Sequence, residues 1–332
     1  MTGRPWPGRR LLPLAVLLLG GLLPLVFEQY KLYVASLTLV YLVLAIGLNL
    51  TLGYAGQISL AHGAFMAFGA YSVAILGQHG LPVELGLAVG AALGFGWGLV
   101  VGFPALKVKH HYLAMVTLGF NIIVFLVLRN WEWLTGGSFG ISGIARPAWG
   151  RISFTSDRAY YLYMLGWAAV VVASAHWILT SPWGRAFRAI RENEMRAEVV
   201  GVSLRSYKLM AFAIGAAYAG IGGGLFAPLL TYIDPGAFTL DRSIQFLMMV
   251  VLGGLGRFGG PFAGAILVTV LPEVLRASEG LYLIIYALAV ILMMLFLPTG
   301  LAGLWDRLVP LAGAGRGAPA PAAAPPDPSA LS

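Results

Sequence analysis

The stretch SPWGRAFRAIRENEMRAEVVGVSLRSYK, residues 181–208, carries nine of the 34 Asp, Glu, Lys and Arg residues in a chain of 332. Charged residues make up 10% of the whole and hydrophobic ones 59%, with a mean hydropathy of +0.84. Soluble domains run at roughly 45–50% apolar residues. A charged island set between long apolar runs decides the architecture. It implies an all-α, polytopic transmembrane bundle of about 8–10 spanning helices, some of them broken or re-entrant, with the island as a connector outside the bilayer.

Outward from the island, a spanning helix needs roughly 20 mostly apolar residues. Ten stretches qualify: 11–27, 32–51, 57–79, 84–104, 112–128, 160–179, 209–228, 243–256, 260–277 and 281–297. The first follows Arg9-Arg10 but lacks a small-x-small cleavage site after Phe27, so it is expected to be a retained helix. The span 243–256 is short and runs into Gly253-Gly254, and full crossing by it and by 57–79 is left open. Residues 1–310 form the transmembrane domain. The Ala/Pro-rich tail 311–332 has the composition of a disordered segment.

Lys and Arg concentrate in cytoplasmic loops of membrane proteins. With the N-terminus inside, the cytoplasmic segments hold 14 basic and five acidic residues, and the outer segments seven and eight. Six crossings then precede residue 181, so the island and both termini are expected in the cytoplasm. The longest outer segment, 129–159, is rich in Trp, Gly and Ser.

Cysteine is absent, which removes disulfides, thiolate metal sites and Cys nucleophiles together. The sequence has no HExxH, GxSxG or GxxxxGK[ST], so neither those catalytic constellations nor an ATP-binding P-loop is encoded, and no cofactor or metal is called for. No proposed span carries Asp, Glu, Lys or Arg in its middle. That disfavours a proton-relay carrier, for which His62 and His176 are the only intramembrane titratable candidates. The net charge of +8 is assigned to membrane lipid and loop placement, not to nucleic acid. Gly86, Gly90, Gly94, Gly98 and Gly102 recur every four residues, the pattern of close helix packing or of a face that slides.

The island reads as one helix. Ser181-Pro182 makes a cap followed by proline at the first helical position, and Gly201 makes a stop. Phe187, Ile190, Ala197 and Val200 form an apolar side. Arg188–Glu192 and Glu192–Arg196 are i,i+4 pairs on the charged side. Two uses fit such a helix: a connector resting at the lipid surface, or a docking lever for a soluble motor, with Arg188, Arg191, Glu192 and Glu194 as its rim and Ala197 and Gly201 permitting close approach.

Several long motifs, GLNLTLGYAGQISLAHGAF (47–65), FPALKVKHHYLAMVTLGF (103–120), NWEWLTGGSFGISGI (130–144) and YIDPGAFTLDRSIQFLMMVVLGGLGRFGGPFAG (232–264), occur in order around the island. On these residues the chain resembles the M-type permease subunits (LivM family) of bacterial ABC importers for branched-chain amino acids. The resemblance implies an inner-membrane permease subunit, not an enzyme. It would pair with an H-type permease, two cytoplasmic ATPase subunits and a periplasmic amino-acid-binding protein. It also implies that 181–208 couples to the ATPases. Ala61-His62-Gly63 and Phe139 depart from the family's usual residues.

A zwitterionic solute needs a polar but uncharged path. Asn49, Gln57, Ser59, His62, Asn121 and Gln245 are the candidates, with Ser59 and His62 spaced i,i+3 on a common helical face. Helix–helix hydrogen bonding is the other use of such residues. The sequence leaves open a urea or short-chain amide importer, and a stand-alone sodium-coupled carrier or channel.

Overall fold

The computed structural model describes residues 20–105, 110–149 and 152–275, isolated positions between 285 and 291, and 300–303. Of the expected span 281–297 only those isolated positions are described, and of 11–27 only 20–27, while the tail from 311 lies outside the described residues. Among the described residues the main helices are α1 Gln29–Leu48, α2 His62–Gln78, α3 Val83–Ala105, α4 His110–Asn130, α5 Asp157–Thr180, α6 Pro182–Glu192, α7 Glu194–Val199, α8 Leu204–Leu230, α9 Leu240–Gly253 and α10 Gly260–Leu275. Shorter turns join them. A π-helical segment, Asn49–Tyr54, continues α1.

Five helices among the described residues are long and apolar enough to cross a membrane: Gln29–Tyr54, Val83–Pro104, Tyr112–Asn130, Asp157–Thr180 and Leu204–Leu230. The molecule is a polytopic helical bundle. α1 and α8 lie mostly buried at its centre, whereas α3, α4 and α5 turn much of their surface outward. Glycine explains how the centre closes. A methyl group on Gly90 would lie 2.6 Å from Gly69 Cα, one on Gly94 2.5 Å from the Ala216 carbonyl oxygen, and one on Gly98 2.8 Å from Ala213 Cα. The four-residue stripe of α3 is thus spent on backbone-to-backbone contact with α2 and α8, where close packing supplies the association that lipid does not.

Two expected spans differ from whole helices. The region 57–79 is helical only from His62; Leu60 N–H before it and Gly63 and Ala64 N–H in the first turn bond side chains of other helices. At 17 residues, α2 is about 25 Å long, short of the ~30 Å hydrocarbon core. The region 243–256 is α9, which begins at Leu240 and stops at Gly254 with φ +123°. The Gly254–Gly259 turn then reverses the chain into α10.

Two ends of the bundle are stitched separately. At one, β1 Ile141–Ser142 pairs antiparallel with β4 Tyr232–Ile233, Ile141 opposite Ile233, tying the 129–159 loop to the exit of α8. A hairpin of β2 Ala148–Trp149 and β3 Ile152–Ser153 lies in the same loop. At the other end, the 181–208 connector meets the end of the π segment and the Gly254–Gly256 turn. These are the two groupings that the threading of spans requires.

Candidate functional site

The start of α2 is buried inside the bundle, and its backbone donors are met from outside the helix. The first turn of any helix leaves N–H groups unpaired, and in lipid these must find partners. Leu60 N–H donates to Thr117 Oγ1 of α4 at 3.0 Å. Gly63 N–H donates to Ser243 Oγ of α9 at 2.8 Å, and Ala64 N–H to Asn121 Oδ1 of α4 at 2.8 Å. Ser243 Oγ in turn donates to Asn121 Oδ1 at 3.3 Å. Two helices, α4 and α9, therefore converge on the start of a third.

Gln57, Ser59, His62 and Asn121 are all buried on this stretch and its partner α4. Ser59 sits in the non-helical lead-in and accepts from Ala61 N–H at 3.4 Å, so it does not share a helical face with His62 as its spacing suggested. Both side-chain atoms of Gln57, both ring nitrogens of His62 and Nδ2 of Asn121 have no hydrogen-bond partner among the described residues. Unpaired buried polar atoms are rare and costly, about 1–3 kcal/mol each. Next to them stands an aromatic wall. Phe65 packs against Phe120 at 5.7 Å between ring centroids and against Phe212 at 5.8 Å.

The other two pathway candidates are used elsewhere. Asn49 Nδ2 donates to the Arg257 carbonyl at 3.0 Å and its Oδ1 accepts from Gly256 N–H at 3.0 Å, pinning the π segment to the α9–α10 turn. Gln245 Oε1 accepts from Arg242, which also donates to Tyr41 at 3.1 Å. Thr117 and Ser243 were missed by the sequence reading. A hydroxyl within an apolar helix gives no local sign that it caps a distant one.

The charged connector is two helices, not one. Asn193 (φ −163°, ψ 111°) breaks it, and its Oδ1 caps α7 by accepting from Arg196 N–H at 3.0 Å. The break separates Glu192 from Arg196, which removes that i,i+4 pair, and no ion pair joins Arg188 to Glu192 among the described residues. Glu194 instead pairs with Lys208 at 2.6 Å. Gly201 closes α7 with φ +85°. Its N–H donates to the Glu198 carbonyl and Val202 N–H to the Ala197 carbonyl, a Schellman stop.

The faces differ from the expected ones as well. Phe187, Ile190 and Ala197 are buried within the chain, but Val200 is 75% exposed beside Met195 at 77% and Val199 at 88%. Ala197 is therefore not available for close approach by a partner. Two arginines of the expected rim stay exposed but bond back to backbone carbonyls. Arg188 Nη1 donates to the Leu179 carbonyl at 3.2 Å, and Arg191 Nη1 donates to the Gly53 carbonyl at the end of the π segment. Arg185, Glu192, Arg196 and Glu198 are exposed as well.

The molecule is a polytopic helical membrane bundle with a buried polar helix start and a charged two-helix connector at one end. Residues 30–298 match the family model described as branched-chain amino acid transport system / permease component. The chain is 34% identical over 317 residues to the high-affinity branched-chain amino acid transport system permease protein LivM of Escherichia coli, covering 88% of this chain and 75% of that protein. It is 33% identical over the same length to LivM of Salmonella typhimurium. To the permease LivH of Salmonella typhimurium it is 26% identical, with 84% and 96% covered. No solved structure matches. The chain belongs to the branched-chain amino acid transport permease family.

Proposed function

We propose that this chain is the M-type permease subunit of an ATP-driven importer for branched-chain amino acids in the cell inner membrane. It works beside an H-type permease, two cytoplasmic ATPases and a periplasmic binding protein. The 181–208 end and both termini face the cytoplasm. The solute passes along the Gln57–His62 stretch and α4, past the aromatic wall at Phe65, a surface polar enough for a zwitterion and free of charge that would trap it.

The observation that carries the reading is the lever. α6 and α7 stand outside the bundle, present Met195, Val199 and Val200 outward within a charged rim, and send Arg191 back to Gly53. A sequence without its own P-loop has use for such a surface only if something presses on it. The family relationship favours amino acids over urea or amides as cargo.

Reconstitution of the chain with an H-type permease, the ATPases and the binding protein should give leucine uptake that needs ATP. Leucine uptake by the purified chain alone, without nucleotide, would refute the proposal. Val199→Asp should abolish co-purification of the ATPases while leaving membrane insertion intact. Because the chain has no cysteine, Glu198→Cys reports sidedness cleanly. A membrane-impermeant maleimide should reach it only in inverted vesicles.

A further inference from the structure

The start of α2 is held by neutral oxygen atoms that are not part of its own helix. Asn121 Oδ1 and Ser243 Oγ occupy the positions at Gly63 and Ala64 where an anion is bound most favourably, since a helix N-terminus carries a partial positive charge and aims its N–H groups outward. Capping alone would not leave polar atoms stranded. Yet Asn121, 1% exposed, directs Oδ1 to Ala64 and leaves Nδ2 of the same amide unpaired. His62, also 1% exposed, opens the helix with both ring nitrogens unpaired.

The two capping side chains come from different elements, α4 and α9. α9 is short and ends at the Gly254–Gly256 turn, which Asn49 ties to the π segment and which lies against Arg191 of the lever. A displacement of α9 therefore withdraws Ser243 from Gly63 and Asn121 together. Beside the exposed donors stand Phe65 and Phe120, an apolar wall next to a charge-seeking end.

We infer that the N-terminus of α2 is a binding station for the solute's carboxylate, with Asn121 and Ser243 as stand-ins that hold it closed when no solute is present. The carboxylate accepts from Gly63 and Ala64 N–H and from Asn121 Nδ2. The aliphatic side chain of the solute lies against Phe65 and Phe120. The ligand class is a monocarboxylate with an apolar side chain. This rests on the import reading above and narrows it to a place and a chemical group.

Asn121→Asp in the assembled importer tests it. Asp caps helices as well as Asn does, and the change keeps Oδ1 while exchanging Nδ2, which has no partner among the described residues, for a second carboxylate oxygen. A purely structural cap predicts uptake within twofold of wild type. The station predicts that a permanent carboxylate, kept ionised by the Ala64 N–H it accepts, excludes the solute's own. Leucine uptake should fall at least tenfold while ATPase activity and assembly persist.

If that variant does not assemble, Ser243→Ala decides. It leaves Gly63 N–H open, so millimolar leucine should raise the melting temperature of the variant complex more than that of wild type, and leucinol, which lacks the carboxylate, should not. Equal shifts with leucine and leucinol would overturn the station. Wild-type-like uptake in Asn121→Asp would overturn it and leave the importer reading standing. A wild-type complex that moves no amino acid would remove both.

Discussion

Arg191→Ala is the most direct test of whether the proposed lever transmits force to the proposed pathway. Arg191 lies on α6, and its guanidinium donates to the Gly53 carbonyl at the end of the π segment. Its side chain also runs along Gly56, whose Cβ position is 3.6 Å from Arg191 Cγ, and beneath the Gly256 turn. The same turn accepts the Asn49 clamp, so one side chain joins lever, π segment and the α9–α10 reversal. A hydrogen bond to a charged group contributes about 1.5–3 kcal/mol, and about 1.4 kcal/mol is a factor of ten. Losing it should therefore lower solute moved per ATP hydrolysed by roughly 10- to 100-fold, provided that the lever transmits through this bond. The assay is paired uptake and hydrolysis by the reconstituted importer. ATPase co-purification should be unchanged, because the exposed Met195, Val199 and Val200 remain in place. Arg188→Ala is the control. Its bond goes to Leu179 at the adjoining helix end, so it should weaken the connector without uncoupling it. Wild-type stoichiometry in Arg191→Ala would refute the transmission route.

Three further outcomes are expected. Gly98→Ala places a methyl 2.8 Å from Ala213 Cα and should cost about 1–3 kcal/mol in detergent melts, whereas Gly96→Ala meets nothing within 4 Å and should be neutral or gain up to about 1 kcal/mol in helix propensity. His62→Ala and Gln57→Ala, expressed normally, should each reduce uptake several-fold, and wild-type rates in both would remove them from the path. Gly140→Ala forces a side chain to φ +68° and onto the Ile233 carbonyl, costing at least about 1–2 kcal/mol. It should release β1 from β4, which raised maleimide labelling of Ser142→Cys from the outer side would record.

Much of the architecture was legible because lipid leaves a sequence few options. Five long apolar helices follow their predicted spans within a few residues, since each must satisfy its own backbone internally. The stop at Gly201 and the cap at Ser181, which accepts from Trp183 N–H at 3.1 Å, were readable because capping is local chemistry. The break at Asn193 was not. Helical spacing continues through it, and only the side-chain cap onto Arg196 reveals the second helix.

For the site, composition was sufficient to single out Gln57, Ser59, His62 and Asn121 as uncharged polar residues within apolar surroundings. It could not separate them from Asn49 and Gln245, which are occupied with Gly256 and with Arg242. By itself the sequence determined that this protein lives in the membrane, where its helices run and that it carries no ATP-binding loop, because these follow from residue-by-residue transfer energies and local motifs. Only the tertiary structure decided that α2 begins inside the bundle, that Thr117, Asn121 and Ser243 supply its missing partners, and that Arg191 bonds the Gly53 carbonyl. Those bonds join residues 57 to 180 positions apart, and no local pattern records which distant hydroxyl or carbonyl will satisfy a stranded donor.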